Sequence, residues 1–183
     1  MESTSRKLST RELCYIAIFT AIIAVCAQIA IPQPGGVPFT LQAWAVALAG
    51  LILGPKKGAL AALIYVLLGA IGAPVFVGFT GGFGIIMRPS GGFILSFPIM
   101  AWLAGLGGKK DGFAWVMLGL VAGIVFNFAA GLLWFHWVTE LSLGVSFGYA
   151  VVPFILPTVV KAVALPVVSK SIKLALKKSR ISI

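Results

Sequence analysis

The sequence predicts an all-α integral membrane protein of six transmembrane helices, with the N- and C-termini in the cytoplasm. Hydrophobic residues make up 60% of the 183 positions and charged residues only 10%, against roughly 25% charged residues in soluble domains. The mean hydropathy is +1.10. Fourteen basic and four acidic residues are too few to cover the surface of a soluble domain of this length. The net charge of +10 does not indicate nucleic-acid binding, because the basic residues form short groups between long apolar runs.

Six apolar runs approach the roughly 20 residues that cross about 30 Å of hydrocarbon. We predict membrane spans at 13–31, 40–54, 58–74, 91–107, 113–136 and 149–169. The second and third are short. The spacing of Ser9 and Glu12 predicts a capping box at the start of the first helix. We expect that helix to be retained as a span, because its apolar stretch is longer than that of a signal peptide.

The basic residues predict the orientation in the membrane. Twelve of them share one side of a six-span arrangement: Arg6, Lys7, Arg11, Lys56, Lys57, Lys109, Lys110, Lys170, Lys173, Lys177, Lys178 and Arg180. Only Arg88 lies on the other side, and short loops with such a bias face the cytoplasm. We therefore predict one membrane domain over 1–183, with a cytoplasmic segment at 1–12, a six-helix bundle at 13–169 and a basic cytoplasmic tail at 170–183.

Lys161 is the most informative single residue, because it lies inside the last apolar run, where a charge is costly. Its ammonium group either faces a ligand cavity or reaches the cytoplasmic surface along its own stem. Thr158 shares its helix face, and Pro157 frees a backbone carbonyl one turn earlier. A kinked polar face of this kind favours the cavity.

Other polar and aromatic side chains are candidates for the same site. Asn127 and Gln42 lie at membrane depth, where an unpaired amide costs a few kcal/mol, so each is expected to point inward toward a ligand or a neighbouring helix. Phe39, Phe79 and Phe93 either wall a slot for a flat, partly apolar ligand or belong to an interfacial aromatic belt.

The remaining polar groups have simpler interpretations. Gln28 and His136 are predicted to make helix–helix contacts, and with no second histidine we expect no metal site. Arg88 either captures a ligand carboxylate at the mouth of a site or faces water. Ala17 and Ala21 form a small-xxx-small pair, which serves internal packing or docking to another membrane protein.

Absent motifs narrow the function further. The sequence has no phosphate-binding loop of the ATPase type, and its four carboxylates leave no acidic relay for proton or sodium coupling. We expect no catalytic residues and no cofactor. The sequence thus predicts a substrate-binding membrane protein, not an enzyme, that depends on a partner for energy.

Six short segments carry a family resemblance: QIAIP at 28–32, VPFTLQ at 37–42, LAGLILGP at 48–55, YVLLGAIGAPVF at 65–76, RPSGGF at 88–93 and LPTVVK at 156–161. Together they resemble the BioY family, the biotin-binding S components of energy-coupling factor transporters, over most of residues 13–168. The family has an acidic residue three positions before its lysine, where this chain has Thr158. A threonine cannot neutralise Lys161, but a ligand carboxylate can.

The resemblance implies a six-helix S component in a bacterial cell membrane that binds biotin near its outer face. It implies that Lys161 serves the ligand, and that Ala17 and Ala21 dock on a transmembrane coupling protein bearing two ATPase subunits. Besides membrane lipids, biotin and these subunits are the expected partners. Two alternatives remain open: an S component for a different vitamin, and a membrane scaffold or enzyme without a transport role.

Overall fold

The computed structural model describes residues 8–109 and 112–178, apart from the side chains of Lys161 and Lys177. Within these residues the chain is almost entirely helical. The helices are α1 (Thr10–Gln28), α2 (Gln42–Leu53), α3 (Pro55–Ala70), α4 (Phe83–Ile86), α5 (Gly91–Gly108), α6 (Phe113–Thr139), α7 (Leu143–Ala150) and α8 (Val152–Lys178). A two-stranded hairpin, β1 (Ala30–Ile31) and β2 (Phe39–Thr40), joins α1 to α2.

The first helix begins as the sequence predicts. Ser9 Oγ accepts a hydrogen bond from the backbone N–H of Glu12 at 3.2 Å, and the Glu12 carboxylate accepts from the backbone N–H of Ser9 at 2.8 Å. The helix ends at Gln28 instead of the predicted residue 31. Because Pro32 disfavours a helical conformation in the residue before it, the chain leaves the helix early and enters the hairpin.

Among the described residues, four helical stretches are long and apolar enough to cross a membrane: Thr10–Gln28, Gly91–Gly108, Phe113–Thr139 and Leu143–Val160. The shorter helices α2, with 12 residues, and α3, with 16 residues, occupy the predicted second and third spans. Six spans fit this fold, and the count itself stays a prediction.

The last predicted span, 149–169, differs from the structure in its bounds. The helix is interrupted at Val151, whose φ of −123° and ψ of −52° lie outside the α-helical range. Consequently α7 is a separate short helix, and α8 continues to Lys178 over 27 residues. At about 1.5 Å per residue, α8 is longer than the hydrocarbon layer is thick.

The bundle is built around α5, which packs extensively against α6 and also contacts α2 and α3. Close approach of the helix backbones requires small residues. A Cβ atom on Gly50 of α2 would lie only 2.1 Å from the carbonyl oxygen of Ala101 in α5. Glycine is therefore obligatory at this crossing. By contrast, α1 lies at the edge of the bundle and packs mainly against α2 and α3.

The basic segments meet at one end of the bundle, as the sequence predicts. Lys57 Nζ lies 3.2 Å from the Glu12 carboxylate, which joins the start of α3 to the start of α1. Lys173 Nζ donates to the carbonyl oxygen of Gly108 at 3.0 Å, which joins α8 to the end of α5. A cation is favourable at a helix C-terminus because of the partial negative charge there. This end, which we call the basic end, corresponds to the predicted cytoplasmic side.

Candidate functional site

A cavity of about 260 Å³ lies at the end of the bundle opposite the basic end. It is bounded by the hairpin segment 36–40, the loop that follows α3, the first turns of α5, the middle of α6 and the first half of α8. Small-molecule pockets usually start at roughly 300 Å³. The cavity therefore suits a compact ligand.

The walls of the cavity contain two pairs of aromatic rings. Phe39 and Phe154 stack with their ring centroids 6.2 Å apart and an interplanar angle of 28°. Phe93 meets Phe128 edge to face, with centroids 6.4 Å apart. These four rings all line the cavity, and such surfaces suit a flat, partly apolar molecule.

Asn127 is the deeply buried polar group of the α6 wall, with only 4% of its surface exposed. Its Nδ2 donates to the backbone carbonyl of Phe93 at 3.0 Å and to Ser96 Oγ at 2.7 Å. Ser96 Oγ in turn donates to the same Phe93 carbonyl at 2.9 Å. The amide thus has fixed partners on α5 and also lines the cavity.

Gln42 occupies a comparable position at the start of α2 and is also 4% exposed. Its Nε2 donates to Tyr65 Oη at 2.7 Å. The Tyr65 hydroxyl donates to the backbone carbonyl of Val75 at 3.1 Å. Gln42 lines the cavity, so this chain of hydrogen bonds connects the cavity wall to the loop after α3.

That loop, residues 71–82, is also held from the side by Gln28 of α1. Gln28 Nε2 donates to the carbonyl oxygens of Phe76 at 3.1 Å and Val75 at 3.4 Å, and its Oε1 accepts from the Phe79 N–H at 2.9 Å. The same Nε2 lies 3.1 Å from the Ala24 carbonyl of its own helix. Gln28 therefore fixes a loop, where the sequence predicted a helix–helix contact.

The loop carries a large aromatic anchor. The Phe76 ring is only 1% exposed and lies edge to face against Tyr65, with centroids 5.6 Å apart. It packs so closely over Gly69 of α3 that a Cβ atom there would lie 2.1 Å from Phe76 Cζ. Phe76 and its loop neighbours Val77 and Thr80 form part of the cavity wall.

Two further predicted site residues line the cavity. Thr158 contributes from α8 and is partly buried. Arg88 precedes α5 and is exposed at the cavity edge; its backbone carbonyl accepts a hydrogen bond from Trp134 Nε1 at 3.1 Å. The backbone of Lys161 lies in α8, one turn after Thr158. The Lys161 side chain lies outside the part of the chain that the structure describes.

Phe79 does not line the cavity, unlike the other candidate aromatic residues, Phe39 and Phe93. Its ring is 72% exposed, and its backbone has a positive φ of 54°. Because its N–H is bound by Gln28, the turn directs the ring away from the cavity. Of the two roles predicted for Phe79, its exposed position fits a place in an interfacial aromatic belt better than a place in the cavity wall.

Two cavity-lining rings, Phe128 and Phe154, were not predicted from the sequence. Neither were Ser96 and Tyr65, which bind cavity residues from behind the wall. A signal existed for Phe154, which precedes Thr158 by four residues and therefore shares its helix face. The hydrogen bonds of Tyr65 and Gln28 to residues 75–79 involve a non-helical loop, for which helix periodicity gives no information. His136 was predicted to contact another helix, but its Nδ1 contacts the Leu141 carbonyl in the connection between α6 and α7.

The two small residues of α1 lie away from the cavity. Ala17 and Ala21 are both exposed. The adjacent Thr20 is buried and donates to the carbonyl oxygens of Ile16 at 2.9 Å and Ala61 of α3 at 3.0 Å. Internal packing therefore uses the Thr20 face, and the Ala17–Ala21 face is left open to the membrane.

These features define a multi-pass membrane protein with a small, aromatic-walled ligand cavity at the end opposite its basic loops. The particular family follows from residues 1–178, which match the BioY family: the chain belongs to it. A probable biotin transporter BioY of Pyrococcus horikoshii is 39% identical, covering 91% of this chain and 98% of the relative. The biotin transporter BioY of Thermotoga maritima is 41% identical, covering 89% and 96%.

A solved structure has the same fold. The crystal structure of the S-component for biotin from an ECF-type ABC transporter superposes with a TM-score of 0.81 and 27% sequence identity. The match covers 91% of this chain and 95% of that one. The family resemblance and the S-component fold inferred from the sequence are thereby confirmed, as is the location in a cell membrane.

Proposed function

We propose that this chain is the substrate-binding membrane subunit of a biotin uptake system. It takes biotin from the outer side and releases it inward with the help of an energy-coupling module. The observation that carries the proposal is the cavity of about 260 Å³, walled by aromatic rings and edged by Arg88, at the end opposite the basic loops. Membership of the BioY family supports biotin as the ligand.

The cavity matches biotin in its distribution of polar and apolar groups. The compact fused ring of biotin fits between the rings of Phe39 and Phe93, where burial of apolar surface contributes roughly 25 cal/mol per Å². Its ureido group needs hydrogen-bonding partners, which Asn127, Gln42 and Thr158 provide. A ureido group buried without partners would cost about 1–3 kcal/mol per polar atom.

The carboxylate of biotin needs a cation, and two are candidates. Arg88 lies at the cavity edge and can form a charge-assisted, bidentate hydrogen bond with a carboxylate. Lys161 remains the second candidate from the sequence, because its backbone follows that of Thr158 by one helical turn. We assign the carboxylate to Arg88, since a charged group is least costly where water still reaches it.

Energy for release inward comes from a partner. We propose that the exposed Ala17–Ala21 face of α1 docks on a transmembrane coupling protein that carries two ATPase subunits. Support comes from the position of α1 at the edge of the bundle and from the small size of both side chains, which permits close helix contact. We propose that the chain acts as a binding subunit without enzymatic activity and without a cofactor.

Equilibrium binding of labelled biotin to the purified protein in lipid nanodiscs tests the proposal. We expect a Kd below the micromolar range, and a Kd of micromolar or weaker contradicts it. Asn127→Leu, which replaces the amide by an apolar group of similar size, should weaken binding. Thr20→Val is the matched control, because it removes a buried side-chain hydrogen bond far from the cavity. A competition series with other vitamins identifies an S component of different specificity.

A further inference from the structure

Their hydrogen-bond partners determine which way the two cavity amides, Gln42 and Asn127, are turned. The Tyr65 hydroxyl has a single proton, and it donates that proton to the Val75 carbonyl. The Tyr65 oxygen can then only accept, so Gln42 must present its nitrogen to Tyr65. The carbonyl oxygen of Gln42 is consequently directed away from Tyr65.

Asn127 on the opposite wall is oriented in a similar way. Ser96 donates its hydroxyl proton to the Phe93 carbonyl, and the two hydrogens of Asn127 Nδ2 are taken by Ser96 Oγ and that carbonyl. Since a backbone carbonyl only accepts, Asn127 must present its nitrogen to α5. Its Oδ1 is left as an acceptor.

Both amide oxygens therefore face the cavity. Neither Gln42 Oε1 nor Asn127 Oδ1 is among the side-chain atoms found buried without a partner in the described residues, and no described group donates to either. Both residues are 4% exposed and line the cavity. The cavity is the surface to which these two oxygens are open.

We propose that Tyr65 is a positioning residue, which holds the Gln42 amide so that Gln42 Oε1 and Asn127 Oδ1 form a pair of acceptors for the two ureido N–H groups of biotin. The inference rests on the proposed function for the identity of the ligand. It adds that selectivity depends on the Tyr65 hydroxyl, which donates to the loop after α3. A ligand that has an acceptor atom in place of one ureido N–H places its lone pair against an amide oxygen, and it therefore binds more weakly.

The two amides differ in how firmly their orientation is held. Asn127 keeps a partner in the Phe93 carbonyl even without Ser96, so its orientation survives the loss of the Ser96 hydroxyl. Gln42 has only the Tyr65 hydroxyl as partner for its Nε2 among the described residues. Tyr65→Phe therefore releases the Gln42 amide to rotate and present its N–H to the ligand, whereas Ser96→Ala leaves Asn127 in place.

The test compares biotin with its two cyclic carbamate isomers, in each of which a ring oxygen replaces one ureido N–H. Each isomer is measured by competition against labelled biotin on purified protein in nanodiscs. The wild-type protein should prefer biotin over either isomer by roughly tenfold or more. In Tyr65→Phe, the preference over one isomer should fall to within about twofold, while the preference over the other is unchanged. Ser96→Ala should change neither preference by more than about threefold.

The outcomes separate the inference from the function it rests on. If wild-type protein does not bind biotin, the proposed function fails. If biotin binds but Tyr65→Phe lowers its affinity without altering either preference, Tyr65 has only a structural role and the inference is overturned. Equal loss of both preferences also overturns it. If Tyr65→Phe does not fold, Gln42→Met takes its place, because it removes the Gln42 Oε1 acceptor directly. This variant must abolish the preference over one isomer only. The control Thr20→Val must leave both preferences intact.

Discussion

Removal of the Gln28 side-chain amide should release the loop over the cavity. Gln28→Met keeps the length and apolar stem of the side chain but deletes the donors to Phe76 and Val75 and the acceptor for the Phe79 N–H. The two amide hydrogens of Gln28 are shared among three carbonyl oxygens, those of Ala24, Val75 and Phe76. The side chain therefore contributes the equivalent of two full hydrogen bonds to the loop, one donated and one accepted. At about 0.5–1.5 kcal/mol each, the ordered loop loses roughly 1–3 kcal/mol.

Because the loop supplies Phe76, Val77 and Thr80 to the cavity wall, this loss should appear as faster escape of the ligand. We expect the dissociation rate of labelled biotin, measured by chase with unlabelled biotin, to rise about 5- to 150-fold. Hydrogen exchange of residues 75–79 should rise in parallel. Thr20→Val, on the same helix, should leave both quantities unchanged. A dissociation rate for Gln28→Met within twofold of wild type would refute the role assigned to this side chain.

Three further perturbations probe other parts of the molecule. Arg88→Ala should weaken biotin binding by about tenfold but leave the binding of biotin methyl ester unchanged; equal losses for the two ligands would exclude a contact with the carboxylate. Ala21→Leu should reduce co-purification with the coupling and ATPase subunits while biotin binding stays within twofold, and intact co-purification would exclude this face of α1. Gly69→Ala forces the Phe76 ring to move, so it should destabilise the protein by about 1–3 kcal/mol, measured by thermal unfolding, and Ala70→Gly is its neighbouring control.

The fold followed from the sequence where local chemistry decides the structure. The Ser9–Glu12 capping box and the gathering of Lys57 and Lys173 at one end were predictable, because each depends on short-range spacing or on loop charge. The early end of α1 was missed although Pro32 is a local signal for it. The break at Val151 was not predictable, because apolar residues continue on both sides of it.

The site was predictable to the extent that it lies on regular helices. Asn127, Thr158 and Phe93 converge on the cavity because helical periodicity fixes their faces. The position of Phe79 outside the cavity wall was not predictable, because a glycine-rich loop has no such periodicity and the Phe79 N–H donates to Gln28 of a distant helix. The orientation of the Gln42 amide likewise depends on Tyr65 and Val75, which only the fold brings together.

Determination of the structure with biotin bound tests most directly whether this cavity is the ligand site. We predict biotin within the cavity, its fused ring between Phe39 and Phe93, its ureido group at Gln42 and Asn127, and its carboxylate toward Arg88. Biotin found outside this cavity, or inside it with the carboxylate against Asn127, would contradict the assignment.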